Sequence, residues 1–213
     1  MCGLRALLLD LDGVLRIWSV ESDRRAEEAS GLPVGSIRRA AFSPELLWPA
    51  LTGRVSDGQW RRAVAEKLQG GFPSADAERA VRLWSETDGS VDGAVLSLVR
   101  GCRRLARVVL VTNATSRLSQ DLQRLRLARE FDAVIGSAAV GFMKPEAEIY
   151  AAALDVAGVA ASEAVFVDDR EENVAAATRI GMSGHVYRGV RGLREHLRRC
   201  GLGAAGDAFE QGD

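Results

Sequence analysis

RALLLDLDGVL, residues 5–15, sets the frame in which the rest of this 213-residue chain is read. Ala6 to Leu9 carry no turn signal and predict a short strand buried on both faces, which runs into two aspartates flanking one leucine and then Gly13. Carboxylates at the end of a buried strand are costly to desolvate, so Asp10 and Asp12 imply a cation, a dense set of hydrogen bonds, or an open crevice. In open α/β sheets such a crevice lies at the carboxyl ends of the strands and takes ligands. Asp and Gly are also ordinary turn residues, so an acidic turn accounts for this stretch taken alone. Three later stretches separate the two readings.

From Val91 onward the opening pattern repeats. VDGAVLSLVRGCRRLA has helical spacing and leads into RVVLVTN, a buried strand that ends in Thr112 and Asn113. A helix with Ser116 as its N-cap follows, then the short strand FDAVIGS. The loop GSAAVGFMKP carries Lys144 just before Pro145, which with Glu146 opens the helix PEAEIYAAALDVAG. AVFV, residues 164–167, predicts a fourth strand running into Asp168 and Asp169, and the helix REENVAAATRIG comes after it. A short strand GHVYR and the helix VRGLREHLRRCG complete the series. Strand alternating with helix at least four times implies an α/β fold, a mostly parallel sheet covered on both faces.

Between Glu21 and Glu86 that alternation is absent. ESDRRAEEASG, PELLWPALTG, SDGQWRRAVAEKLQGG and SADAERAVRLWSET read as helices, the first three closed by Gly31, Gly53 and the Gly70-Gly71 pair. A helical block inserted just after the first strand's aspartates is placed to cover the crevice as a cap. The expected division is therefore residues 1–15 and 87–202 as core, 16–86 as cap and 203–213 as a mobile tail with little apolar content. Trp60 and Trp84 are expected mainly to pack between cap helices, as is Trp48. Trp18, Trp48 and Arg54 are the candidates for contact with a ligand, against the plainer alternatives of packing or a surface ion pair.

Composition narrows the function class. With 28 basic and 29 acidic residues the net charge is −1, which gives no global attraction to nucleic acid or to an anionic membrane. The apolar run before Asp10 is too short for a secretory leader and no stretch is long enough to span a bilayer. Cys2, Cys102 and Cys200 form neither a disulfide framework nor a metal knuckle, as expected of a cytoplasmic protein. Twenty-six of the basic residues are Arg and two are Lys, so Lys144 marks a place where a compact, movable ammonium is wanted.

Collected, the strand ends hold Asp10, Asp12, Thr112, Asn113, Asp168 and Asp169, with Lys144 nearby in the chain order. Four carboxylates at one crevice call for a cation, and hard oxygen ligands without His or Cys favour Mg²⁺, an ion that commonly shares its coordination with phosphate. Thr112 and Asn113 can donate to phosphoryl oxygens, and Lys144 supplies positive charge. An aspartate can attack phosphorus, and a second carboxylate two positions on can protonate the leaving alkoxide and then activate water. Asp168-Asp169 taken alone reads as a helix cap, Thr112-Asn113 as a turn, and Lys144 as a solvated lysine.

LLLDLDGVL, VLVTNAT, Lys144-Pro145 and VFVDDREEN, in that order, resemble the four motifs of the haloacid dehalogenase-like hydrolases. The resemblance covers residues 5–15 and 107 to about 188. It implies a Rossmann-like core with an inserted helical cap, Asp10 as nucleophile, Asp12 as general acid/base, and Thr112 and Lys144 on the phosphoryl group. It also implies Mg²⁺ held by Asp10, the Asp12 backbone and the acidic pair, with Asp169 preferred to Asp168 as direct ligand. Dehalogenating members lack the second aspartate, so Asp12 points to phosphate chemistry. The expected substrate is a small phosphorylated metabolite, a sugar phosphate being the first choice. A phosphomutase on the same scaffold and a non-catalytic binding or regulatory protein are the alternatives.

Overall fold

The computed structural model describes residues 3–203. In chain order its elements are β1 (Ala6–Leu9), β2 (Arg16–Ile17), α1 (Val20–Glu28), α2 (Ser36–Ala41), α3 (Pro44–Leu51), α4 (Asp57–Gly71), α5 (Ala77–Ser85) and β3 (Ser90–Val91). There follow α6 (Gly93–Cys102), β4 (Arg107–Thr112), α7 (Leu118–Arg124), β5 (Ala133–Gly136), α8 (Ser137–Val140), α9 (Ala147–Ala157), β6 (Ala164–Asp168), α10 (Glu171–Arg179), β7 (Ser183–Val186) and α11 (Val190–Arg199). Apart from Gly203, the tail expected to be mobile lies outside the described residues, as does Cys2.

β1 lies at the centre of a parallel sheet ordered β5-β4-β1-β6-β7, with Ala6 beside Arg107 on one side and Ala164 on the other. The chain winds outward from β1 through β4 to β5, then crosses back to β6 and β7. The direction of winding therefore reverses between β1 and β6, the place where open sheets form a ligand crevice.

Alternation along the strands builds two apolar layers. Leu7, Leu9, Val108, Leu110, Val165 and Val167 face one side with Val95 and Val99 of α6 and Leu193 and Leu197 of α11. Ala6, Leu8, Val109, Val111 and Phe166 face the other, with Ile149, Tyr150 and Ala153 of α9 and Val174 and Ala177 of α10.

The helices α1–α5 have an apolar cluster of their own, centred on Ile37, Trp60, Val64, Leu68 and Ala80. Their starts follow local signals. Ser56 and Gln59 form a reciprocal capping box on α4, and the Asp76 carboxylate accepts from the Arg79 N–H at 2.9 Å to open α5. Gly31 and Gly53 have positive φ after α1 and α3, but α4 runs through Gly70 and Gly71 to a cap at Phe72. This block joins the sheet through a two-stranded ribbon, with Arg16 opposite Val91 and Ile17 opposite Ser90. α2 and this ribbon had no counterpart in the sequence reading, the ribbon because two residues are too few to show a period.

Ser116 does not cap α7, whose N-cap is Arg117. Its hydroxyl accepts instead from the Asp57 N–H at 2.9 Å, and Thr115 donates to the Asp57 carboxylate at 2.7 Å, so the start of α4 is tied to the loop after β4. At Gly53 a Cβ would collide with the Ala138 carbonyl, which shows how closely the turn after α3 approaches α8. No helix among the described residues is long and apolar enough to cross a membrane.

Candidate active site

Asp10 follows the last residue of β1, buried and anchored by its own backbone: its N–H donates to Val167 O at 2.9 Å. Its Oδ1 accepts from the Leu11 N–H at 2.7 Å and lies 2.7 Å from Lys144 Nζ. Lys144 is 3% exposed, and its ammonium is shared with Asp168 Oδ2, also at 2.7 Å. Desolvation raises the Asp10 pKa, and the charge of Asp168 adds to the rise while the ammonium of Lys144 opposes it. One ammonium does not fully compensate carboxylates crowded out of water.

Asp168 is fully buried and has little bonding capacity left. Besides Lys144, it accepts from the Arg170 N–H at 2.8 Å and from Asn173 Nδ2, 3.0 Å from each oxygen. Asp169 lies over Gly13, where a Cβ would collide with its carboxylate. The positive φ of Gly13 thus gives the first loop its turn and leaves room for that group. Burial and the neighbouring Asp168 charge raise the Asp169 pKa as well.

One oxygen from each of Asp10, Asp168 and Asp169 falls within 4.8 Å of the others. Three hard carboxylate donors, two of them with pKa values raised by crowding, fit a small divalent oxophilic cation such as Mg²⁺. The Asp168 oxygens already accept from Lys144, Arg170 and Asn173.

Asp12 takes no part in that cluster through its carboxylate. Arg16 grips it with two bonds, Nε to Oδ1 at 2.6 Å and Nη2 to Oδ2 at 2.9 Å, and Trp18 Nε1 donates to Oδ1 at 2.6 Å. Arg16 is itself buried and reaches Asp121 of α7 at 3.2 Å. Burial opposes its charge, but the two carboxylates outweigh burial and the pKa of the guanidinium is raised.

Thr112, 1% exposed, ends β4 and lines the cavity above the sheet. Asn113 lines it too, but its carboxamide is engaged: Oδ1 accepts from Lys144 N at 2.7 Å and Nδ2 donates to Lys144 O at 2.9 Å. These two bonds hold the lysine loop in place and use one of the two Asn113 amide hydrogens. Trp18 lines the cavity, whereas Trp48 is 55% exposed and, with Arg54, is absent from the lining.

Sequence reasoning missed Arg16, Asn173 and Ser137, whose hydroxyl bonds both N–H and C=O of Ala114 to brace the loop after Thr112. The asparagine had a signal, five residues after Asp168 at the start of a helix, where one turn returns its side chain to the strand end. Asp121, the second partner of Arg16, lies 105 positions away and Ala114 lies 23 from Ser137, so these contacts leave no local trace.

The cavity, about 420 Å³, lies between these strand ends and the helices α1–α5. A family model for haloacid dehalogenase-like hydrolases matches residues 4–181. The chain is similar to the sesquiterpene phosphatase astK of Aspergillus oryzae, 27% identical over 189 residues, 86% of this chain and 90% of that one. It is also similar to bifunctional epoxide hydrolase 2 of Mus musculus, 29% identical over 197 residues, 84% of this chain but only 36% of that longer protein. Among solved structures, an HAD family enzyme of Bacteroides thetaiotaomicron in complex with magnesium and inorganic phosphate matches with TM-score 0.72 at 22% identity, over 87% of this chain and 95% of that one. The L-2-haloacid dehalogenase of Xanthobacter autotrophicus matches with TM-score 0.63 at 23% identity, over 85% and 76%. At such identities these two likenesses are of fold.

Proposed function

Since this chain belongs to the haloacid dehalogenase-like hydrolases, we propose that it is a Mg²⁺-dependent phosphatase of small phosphomonoesters that works through an aspartyl-phosphate. Residues 1–15 and 87–202 form the catalytic core in this reading, and 16–86 the cap. The observation that carries it is the meeting of Asp10, Asp168 and Asp169 within 4.8 Å, with the Lys144 ammonium 2.7 Å from Asp10, at the floor of a cavity.

Mg²⁺, held by Asp10, Asp169 and the Asp12 backbone with Asp168 close behind, would supply charge neutralisation for the phosphoryl oxygens. Lys144 and Thr112 bind those oxygens, and Asn113 and Asn173 fix the lysine and Asp168. A carboxylate oxygen of Asp10 attacks phosphorus in line as the bond to the ester oxygen breaks. Asp12 gives its proton to the departing alkoxide, then takes one from the water that cleaves the acyl phosphate and regenerates Asp10. Arg16 and Trp18 hold Asp12 as the carboxylate, the form that takes the proton from water, and release from these donors lets it carry a proton to the alkoxide.

A departing halide needs no proton, so Asp12 favours ester hydrolysis over carbon–halogen cleavage. The similarity to a sesquiterpene phosphatase supports the same choice. Asp10→Asn should lower phosphate release from p-nitrophenyl phosphate in Mg²⁺ by about a thousandfold or more, the usual scale for losing a nucleophile. A variant that keeps most of its activity removes the nucleophile assignment. Halide release from 2-chloropropionate without phosphate release would select dehalogenation instead.

A further inference from the structure

We infer that the group esterified to phosphate is apolar and carries no second charge, an inference that rests on the phosphatase reading and narrows its substrate. The basic residues lining the cavity are Arg16, Arg38, Arg61, Arg117, Lys144 and Arg170. Each already has a carboxylate partner. Arg16 pairs with Asp12 and Asp121, Arg38 with Asp23, Arg61 with Asp57 at 2.6 Å, and Arg117 with Asp121 at 2.7 Å and Asp88 at 3.2 Å. Arg170 pairs with Glu172, and Lys144 with the two buried aspartates beneath the phosphoryl position. A second phosphate or a carboxylate on the leaving group would find each of these cations already neutralised by an acid and would have to share it.

The hydrogen-bonding side chains of the wall are similarly committed. Asn113 uses its carbonyl and one N–H on Lys144, Thr115 donates to Asp57, and the Thr87 hydroxyl donates to the Trp84 carbonyl. A polyhydroxylated leaving group would give up water for few replacements, at a cost for each unmade bond. The remaining wall is Trp18, Phe42, Leu47, Leu51, Trp60 and Trp84. Trp60 and Trp84 meet edge to face at 5.5 Å with the Arg61 guanidinium over both rings, and Trp18 lies under that of Arg16 at 4.5 Å. Arg16 and Arg61 thus pack on indoles. A volume of about 420 Å³ accommodates the phosphoryl group together with an alkyl, terpenyl or aryl chain. The sugar phosphate expected from sequence is the poorer match to this wall, and so is the bisphosphate that a mutase must hold.

The test is a series of methyl, butyl and octyl phosphates below their micelle concentrations, beside glucose 6-phosphate and fructose 1,6-bisphosphate, with purified protein and Mg²⁺. kcat/KM should rise about threefold to fourfold per methylene until the cavity is filled, the transfer value of a buried CH₂. Octyl phosphate should exceed glucose 6-phosphate by about a hundredfold. Phosphate release that is flat along the series, or best with a sugar phosphate or the bisphosphate, overturns this inference and leaves the phosphatase reading intact. No release from any ester overturns both. Leu51→Asn, on the cavity side of α3 and outside the cap's apolar cluster, should compress the octyl-to-methyl ratio about tenfold. Because the ratio is taken within one preparation, partial unfolding cancels, and an unchanged ratio removes Leu51 and the apolar wall from the account.

Discussion

The carboxyl ends of β1 and β6 and the facing helices α3–α5 line one cavity, yet they handle charge in opposite ways. On the sheet side, Asp10, Lys144 and Asp168 are buried, and two asparagines fix the lysine loop and the inner carboxylate. On the helix side, which also includes α1 and α2, Arg38 of α2 with Asp23 of α1 and Arg61 with Asp57 of α4 form pairs that keep partial contact with solvent, set among tryptophan and leucine. Buried charges held from several directions have few alternative positions, whereas a wall of aromatic and aliphatic side chains can change shape at modest cost. The sheet side is thus held in one arrangement, and the helix side has more freedom of shape.

Lys144→Met puts the largest strain on this contrast. It leaves two buried carboxylates without their ammonium, and losing one partner of a buried pair typically costs about 3–5 kcal/mol. Thermal melting should fall accordingly and phosphate release should drop by about a hundredfold or more. Added Mg²⁺ should restore part of the melting temperature, since a cation bound at the carboxylates of the folded state compensates their charge. Melting unchanged by the substitution would show that the buried cluster tolerates its own repulsion.

Asp57→Ala tests the other side. It removes the partner of Arg61 and the acceptor of Thr115, leaving the backbone bond to Ser116. A loss of about 1–2 kcal/mol is expected, with KM rising more than kcat falls, because the contact closes the helices over the loop after β4 rather than touching phosphorus. A fall in kcat with KM unchanged would place Asp57 in the chemistry.

The smallest effect belongs to the sheet's far edge. His185 of β7 stacks on His196 of α11 with ring centroids 4.6 Å apart, and burial lowers both pKa values, helped by His196 and Arg199 on the first and by Arg199 on the second. Depressed pKa values mean that the unfolded chain binds these protons first, so their contribution is intact above the ordinary histidine value of about 6.5 and is lost as pH falls through the lower folded values. His196→Gln should remove about 1–2 °C of the decline in melting temperature between pH 7.5 and 5, solvent screening keeping the effect small. An identical decline in the variant would assign it to other groups.

Much of the sheet side was legible because its signals are local. Each strand is a short apolar run, and the polar residue that ends it sits next to it in sequence, as at Leu9-Asp10, Val111-Thr112 and Val167-Asp168. The helices declared themselves where a cap residue and its partner lie three positions apart, as Ser56 and Gln59 do. The bracing is another matter. Arg16 bonds Asp121 across 105 positions, and Asn113 reaches Lys144 across 31. Ser116 had a plausible local role as an N-cap and took a distant one, because the start of α4 comes within reach only in the folded chain. The wall of the cavity was illegible for the same reason: Trp48 and Trp60 look alike in sequence, and only packing puts one in solvent and the other in the lining.

Arg16 belongs to the ribbon that tethers α1–α5 to the sheet, and Gly89, on the other arm, approaches it so closely that a Cβ would sit 3.0 Å from its Cγ. The planar fork of this side chain is fastened at one end to Asp12 and at the other to Asp121 in the sheet-side layer. A swing of the helices about their tether therefore has to be absorbed at one of those two anchorages, since a rigid guanidinium cannot follow both. In the proposed reaction, where Asp12 is the proton donor, such a swing and the reorientation of that donor would be a single movement.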